Sequence, residues 1–188
     1  MRRKDREMNR EFALEVIDKS EYGVLGMIDS GSPYTVVLSI IRDGDSLYFH
    51  SAKSGKKVDL FSENDYVSVS FVSYVKVPSL FTHDEIESMI EAGDFASVGS
   101  KVFTTEFKSA HVMGKLSEVT DQEEKSNALI NICKKYTPEF VEQAIPFIKN
   151  SYNRTSVYKI DIEELHGKRK AFGSNREELK WGKKEDET

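Results

Sequence analysis

The sequence contains one cysteine, Cys133, so no disulfide can form within the chain. Stability must come from a hydrophobic core, and a reducing compartment is expected. No apolar run approaches the ~20 residues of a bilayer-spanning helix. The first twelve residues lack the apolar stretch of a secretory signal. A cytoplasmic protein without membrane association is therefore expected. A large charge of one sign is also missing: 27 basic residues against 32 acidic ones give a formal net charge of −5. That balance exerts no general pull on nucleic acid, and no nucleic-acid partner is expected. Any bound anion must be held by a local group of cations.

Several chemical signatures are missing as well. The four histidines, His50, His83, His111 and His166, are far apart in sequence and show no HxH or HxxxH spacing. No metal site is expected from them. There is no GxSxG nucleophile elbow and no complete Walker loop. Cys133 has apolar neighbours at helical spacing and reads as packing, not as a nucleophile. No internal repeat and no domain linker interrupt the chain.

What is present fits one globular domain over residues 1–188, with 38% apolar and 31% charged residues. Met8, Phe12, Ala13, Val16 and Ile17 form a helical stripe. From Tyr22 onward short apolar segments alternate with the turn-forming runs at 29–32 and 42–45, which is an antiparallel meander. One continuous strand is expected over 33–41, a short helix after Gly55, and a long strand over 66–77. Thr82 and Glu85 have capping-box spacing and start a helix that runs to about Ala92. Strands return at 102–105 and 109–119, helices at 121–136 and 138–150, and a last strand at 155–164. Beyond Leu165 the sequence turns polar, and its C-terminal tail is expected to fray. Six or more strands with peripheral helices suggest a closed or partly closed barrel, since closure removes exposed edges.

The segment Tyr48 to Lys57, YFHSAKSGKK, is the most suggestive for chemistry. A strand ends, small residues allow close backbone approach, and Lys56 and Lys57 open a helix. Free amides, the helix dipole and ammonium groups suit a phosphate. The plainer alternative is a basic surface turn with Ser54 as helix cap, because lysine pairs at helix starts are common. His111 alternates with apolar neighbours and reads as a structural or interface histidine. Phe71, Tyr74, Phe103 and Phe107 are aromatic enough to line a flat ligand, although core packing is the default reading for them. Trp181, in a charged tail, is a candidate for covering a pocket or packing on a partner.

The ordered blocks FHSAKSGKK and FTTEFKSAHVMGK, with the strands around them, resemble the pyridoxamine-phosphate-oxidase-like FMN-binding split barrels. Within that group the nitroimidazole-resistance (nitroimidazole reductase-like) branch is the most similar. The resemblance covers about Phe12 to Ile162 and implies a mainly β fold with peripheral α, an FMN-binding split β-barrel, working as a homodimer. It implies that the strand with Thr35, Val36, Val37, Leu38 and Ser39 faces the flavin. It places His50, Ser51 and Ala52 beside the ribityl chain and phosphate, and Gly55, Lys56 and Lys57 on the phosphate. Thr104, Thr105 and Ser109 would reach flavin held mainly by the other subunit.

The implied activity is an FMN-dependent oxidoreductase that takes electrons from NAD(P)H to a small acceptor such as a nitro compound. His50 is the candidate catalytic residue, as a substrate-side proton donor. The alternative is a non-catalytic flavin- or haem-binding protein, with His111 or His83 as axial ligand. The chain departs from true pyridoxamine-phosphate oxidases where Gly55 replaces an arginine of the phosphate turn, and it lacks their C-terminal signature. Vitamin B6 oxidation is therefore not expected. A helical insertion near 78–101 is expected close to the pocket or the dimer edge.

Overall fold

Two tight turns organise the first half of the sheet. Ser30 and Gly31 have φ of 49° and 84°, and Gly44 has φ of 57°. Positive φ of this kind matches the twist of two-residue hairpins. The turns connect β2 (Gly23–Asp29) to β3 (Ser32–Leu38) and β4 (Ile41–Asp43) to β5 (Ser46–Ala52). In a computed structural model, which describes residues 3–180, the remaining strands are β1 (Glu7–Met8), β6 (Tyr66–Lys76), β7 (Glu106–Glu118) and β8 (Thr155–Lys170). The helices are α1 (Arg10–Lys19), α2 (Lys56–Phe61), α3 (His83–Glu91), α4 (Phe95–Ser97), α5 (Gln122–Tyr136) and α6 (Val141–Ser151). Trp181 and the end of the tail lie outside the described residues.

The strands pair antiparallel in the order β3-β2-β6-β7-β8-β5-β4, and β1 adds to β8. β3 and β4 therefore sit at opposite ends of the path, yet only Ser39 and Ile40 separate them in sequence. In a flat sheet, seven strands would hold the two edges ~29 Å apart. The short link spans ~11 Å at most. The sheet must therefore roll up until its edges meet, leaving a split where β3 and β4 diverge.

Inside the roll, Leu25, Leu47, Phe49, Val69, Phe71, Val112 and Ile160 are buried. Ala13, Val16 and Ile17 of α1 pack on this core, and α2 closes it with Leu60 and Phe61. Phe61 lies 5.7 Å from Phe49 and 4.5 Å from Tyr158, ring centre to ring centre. A second core forms outside β5 and β8, where Tyr48 and Val157 meet Ala128, Leu129 and Ile132 of α5 and Ile148 of α6. The end of α5 also holds the link: Lys135 Nζ and Tyr136 OH donate to the Ile40 carbonyl at 3.0 and 2.9 Å.

Four local expectations change. Met8 lies on β1, and α1 begins only after Asn9, whose side chain accepts from the Phe12 amide at 3.0 Å. The expected strand over 33–41 breaks after Leu38, because its two halves pair with different partners. The expected strand over 102–105 is instead the end of a π-helical turn (Val98–Val102), in which the Phe103 amide donates to the Val98 carbonyl. Finally, β8 continues past Leu165 to Lys170, since its polar residues remain paired with β7. The Thr82–Glu85 capping box is present at the start of α3.

The insertion carries α3 and α4 and docks on residues 176–177. Arg176 pairs with Glu85 at 2.8 Å, and Lys101 with Glu177 at 2.7 Å.

The β7–β8 ladder shifts register beside Gly114, and a Cβ there would lie 2.0 Å from the Asp161 carbonyl oxygen. Gly114→Ala is expected to cost about 3 kcal/mol or more, since backbone and not a flexible side chain must move. Urea unfolding of the two proteins checks this; equal midpoints would contradict the packing described.

Candidate functional site

The alternation along β5 sends Leu47, Phe49 and Ser51 inward, and Tyr48, His50 and Ala52 outward. Ser51 is 3% exposed, and its Oγ has no hydrogen-bond partner among the described residues. The chain then turns through Gly55, whose φ of 117° would strain any other residue. Gly55, not Ser54, occupies the cap position of α2, and no side chain caps this helix start. The leading amides of such a helix have no partner within it.

The two lysines after Gly55 diverge. Lys56 Nζ lies 2.5 Å from Asp29 Oδ2 and 5.1 Å from the centre of the Tyr34 ring, so it points to the β2–β3 hairpin. Hydrogen bonding from Lys56 holds the Asp29 carboxyl below its ordinary pKa. Lys57 instead acts on His50. Packing around the imidazole lowers the His50 pKa most, and the Lys57 charge lowers it further. The His50 side chain nevertheless remains open to solvent in the single chain.

The β4–β5 pairing sets Ile41 opposite Tyr48. Continued backward, that register would set Ser39 across from His50 and Val37 across from Ala52. At this level β3 has already left to pair with β2. Where β3 leaves the course of β4, Val37 and Ser39 on one side and His50 and Ala52 on β5 are all exposed, and these residues flank the split. The turn at Gly55 stands at its end. Val36 is half-buried and Leu38 buried, so both side chains pack toward the core, and only their backbone is available to a ligand.

Thr104, Thr105 and Ser109 do not join this group within one chain. Ala52 pairs with Thr155, whereas Ser109 pairs with Lys168 at the far end of the same strand. Those β8 positions are separated by ~43 Å of strand. Thr105 is exposed, and Thr104 Oγ1 accepts a hydrogen bond from Lys170 Nζ. The insertion docks at this far end, away from the turn.

Other polar groups lie elsewhere. A hollow of about 320 Å³ is lined by Ile41, Tyr48 and four carboxylates, Asp43, Asp121, Glu123 and Glu124, the wrong charge for a phosphate. His111 and His166, distant in sequence, are cross-strand partners. His111 Nδ1 lies 3.3 Å from Ser70 Oγ, and His166 Nδ1 3.4 Å from Glu7 Oε1. Among the described residues no three His, Cys, Asp or Glu side chains converge as metal ligands. Asp29 and Tyr34, which engage Lys56, carry no local sequence signal; their role depends on the hairpin folding back to α2. Lys170 was equally hidden in a polar run.

A rolled antiparallel sheet with one split, and a basic helix start at its end, defines a split β-barrel. The chain belongs to the pyridoxamine 5'-phosphate oxidase family, which it matches over residues 9–169. Among solved structures it is similar to a protein named for 5-nitroimidazole antibiotic resistance from Bacteroides thetaiotaomicron, with 21% identity and a TM-score of 0.62 over 87% of this chain and 86% of that one. The flavocytochrome Anf3 from Azotobacter vinelandii gives 17% identity and 0.66, covering 87% and 68% of the two chains. A FAD- and haem-binding protein from Mycobacterium smegmatis gives 14% and 0.65, covering 88% and 73%. At these identities the likeness is one of fold. No curated protein sequence matches the chain.

Because the fold lowers the His50 pKa, it favours the neutral ring. Stability on this account is present above the ordinary histidine range and lost as pH falls through the lowered value. Lys57→Ala should raise the His50 pKa part of the way back and lessen that acid loss. Histidine NMR titration reads the shift; an unmoved resonance would separate Lys57 from His50.

Proposed function

We propose that two copies of this chain bind FMN in their splits and pass electrons from NAD(P)H to a small acceptor such as a nitro compound. The observation that carries this reading is the Gly55–Lys57 turn at the end of the split, beside the orphaned Ser51 hydroxyl. Open amides, a free ammonium and a buried hydroxyl form a donor set that suits a phosphate ester and its sugar-like chain. Membership of the family and the flavin proteins among its structural neighbours support the same reading.

When bound, the flavin supplies the hydride chemistry. The chain's own residues bind, orient and screen it. Lys57 and the amides at the start of α2 hold the phosphate, and Lys56 stiffens the turn through Asp29. Val37 and Ser39, with the backbone of Val36 and Leu38, set the position of the ring. His50, as a neutral ring, keeps one N–H and offers it as a hydrogen bond on the substrate side. Pocket shape governs rate more than any single acid, because hydride donor and acceptor must stack at contact distance.

The second copy is part of this reading. Thr104, Thr105 and Ser109 lie at the opposite end of β8 from the turn, and a two-fold partner can bring its own set to the first chain's split. Val75, Val77 and Phe103 are 63%, 69% and 76% exposed near that end and need cover.

Lys57→Ala is expected to weaken FMN binding at least tenfold, in line with about 1.5–3 kcal/mol for a charge-assisted contact. Lys56→Ala should cost less, since Asp29 already holds that lysine. Riboflavin, which lacks the phosphate, should bind parent and variant alike; equal FMN affinity in Lys57→Ala would remove the turn from the site.

Light scattering should give a dimer, and a flavin-loaded monomer would refute the shared site. Anaerobic NADH or NADPH should bleach the flavin and a nitroaromatic restore it. The haem- and flavin-binding neighbours favour one second reading, a carrier without turnover. A Soret band in the purified protein, lost on replacing His111 or His83, would decide for it.

A further inference from the structure

Lys170, the last residue of β8, is 5% exposed. Its Nζ donates to the Ser100 carbonyl at 3.1 Å and to Thr104 Oγ1, and lies 5.4 Å from the centre of the Phe172 ring. None of these partners is a carboxylate. Glu178, the acid acting on Lys170, is already engaged by Arg6 at 2.5 Å and by Lys180 at 3.1 Å. Burial lowers the Lys170 pKa first, and the Arg6 charge lowers it further. A buried ammonium whose direct hydrogen-bond partners are all neutral is costly, and buried charges are ordinarily paired.

The hydrogen bond to Thr104 gives that charge an outlet. A hydroxyl that accepts from an ammonium must direct its own hydrogen elsewhere. Thr104 is half-buried and followed by the exposed Thr105, which puts this residue next to the surface at the far end of β8. Polarised by Lys170, its hydroxyl is a strong donor with no carboxylate partner among the described residues.

We infer that Lys170, acting through Thr104, is a positioning residue that directs positive potential at the electron-rich carbonyl edge of a flavin held in the partner copy's split. This rests on the two-chain flavin site proposed above and adds the group that tunes it. Negative charge gathers on that carbonyl edge when flavin accepts two electrons, so a cation one hydroxyl away favours the reduced form. A merely structural Lys170, pinning residues 98–105 to β8, would affect folding but not the reduction equilibrium.

The test is a spectroscopic redox titration of the flavin-loaded protein against Lys170→Met and Lys170→Arg. Lys170→Met should keep its flavin and shift the reduction equilibrium at least tenfold toward the oxidised form, about 30 mV for a two-electron couple. Lys170→Arg should recover most of the shift. A Lys170→Met protein with parental potential would overturn the inference. Should that variant fail to fold, Thr104→Val keeps the bond from Lys170 to Ser100 and removes only the relay; its potential must also fall, and a parental value overturns the inference equally. A parent that binds no flavin ends both the proposed function and the inference, whereas a flavin-loaded parent with unshifted variants ends the inference alone.

Discussion

Two residues, Ser39 and Ile40, join strands that lie at opposite ends of the sheet path, and the shape of the molecule depends on how little they can span. The link forces the sheet to roll, and rolling gives one interior that α1 and α2 can seal. Because the chain leaves β5's neighbourhood in order to pair with β2, the roll cannot close as a ladder on both sides of the link. A gap opens there, and polar groups at its end remain accessible. The barrel's one unpaired seam and its candidate binding site are thus products of the same constraint.

The surroundings of the seam keep that gap from collapsing. Lys135 and Tyr136 hold the Ile40 carbonyl from outside, so the link has a fixed anchor in the second core. The Lys56–Asp29 pair ties α2 to the β2–β3 hairpin across the end of the split. Exposed pairs contribute little to stability, and this one matters for direction: it turns one lysine away from the gap and leaves the other beside His50.

Features written in local chemistry were legible in the sequence. The hairpin turns, the capping box of α3 and the small-residue turn before Lys56 each follow from what one or two residues can do with their own backbone. Features that arise from pairing between distant segments were not legible. The run from Pro33 to Ile41 gives no sign that its halves serve different neighbours. The polar residues after Leu165 hide a strand because pairing on both sides, not alternation, keeps it extended. Val102 to Thr105 has strand composition, yet the Lys170 ammonium and the Val98 carbonyl hold it in a different shape. His111 and His166 face each other only through register. The site was legible to the same degree: its turn could be read, but the residues that orient the turn and the separation of Thr104 from it could not.

β8 pairs at one end beside the turn, with Thr155 opposite Ala52, and at the other beside the insertion, with Lys168 opposite Ser109. It therefore acts as a length standard for the molecule. Loops at either end can gain or lose residues without disturbing the interval between the two ends. A single residue added within β8 would carry one end ~3.3 Å further along and turn its side chains to the opposite face. A change of length in the insertion leaves that measure intact, whereas one inside this strand does not.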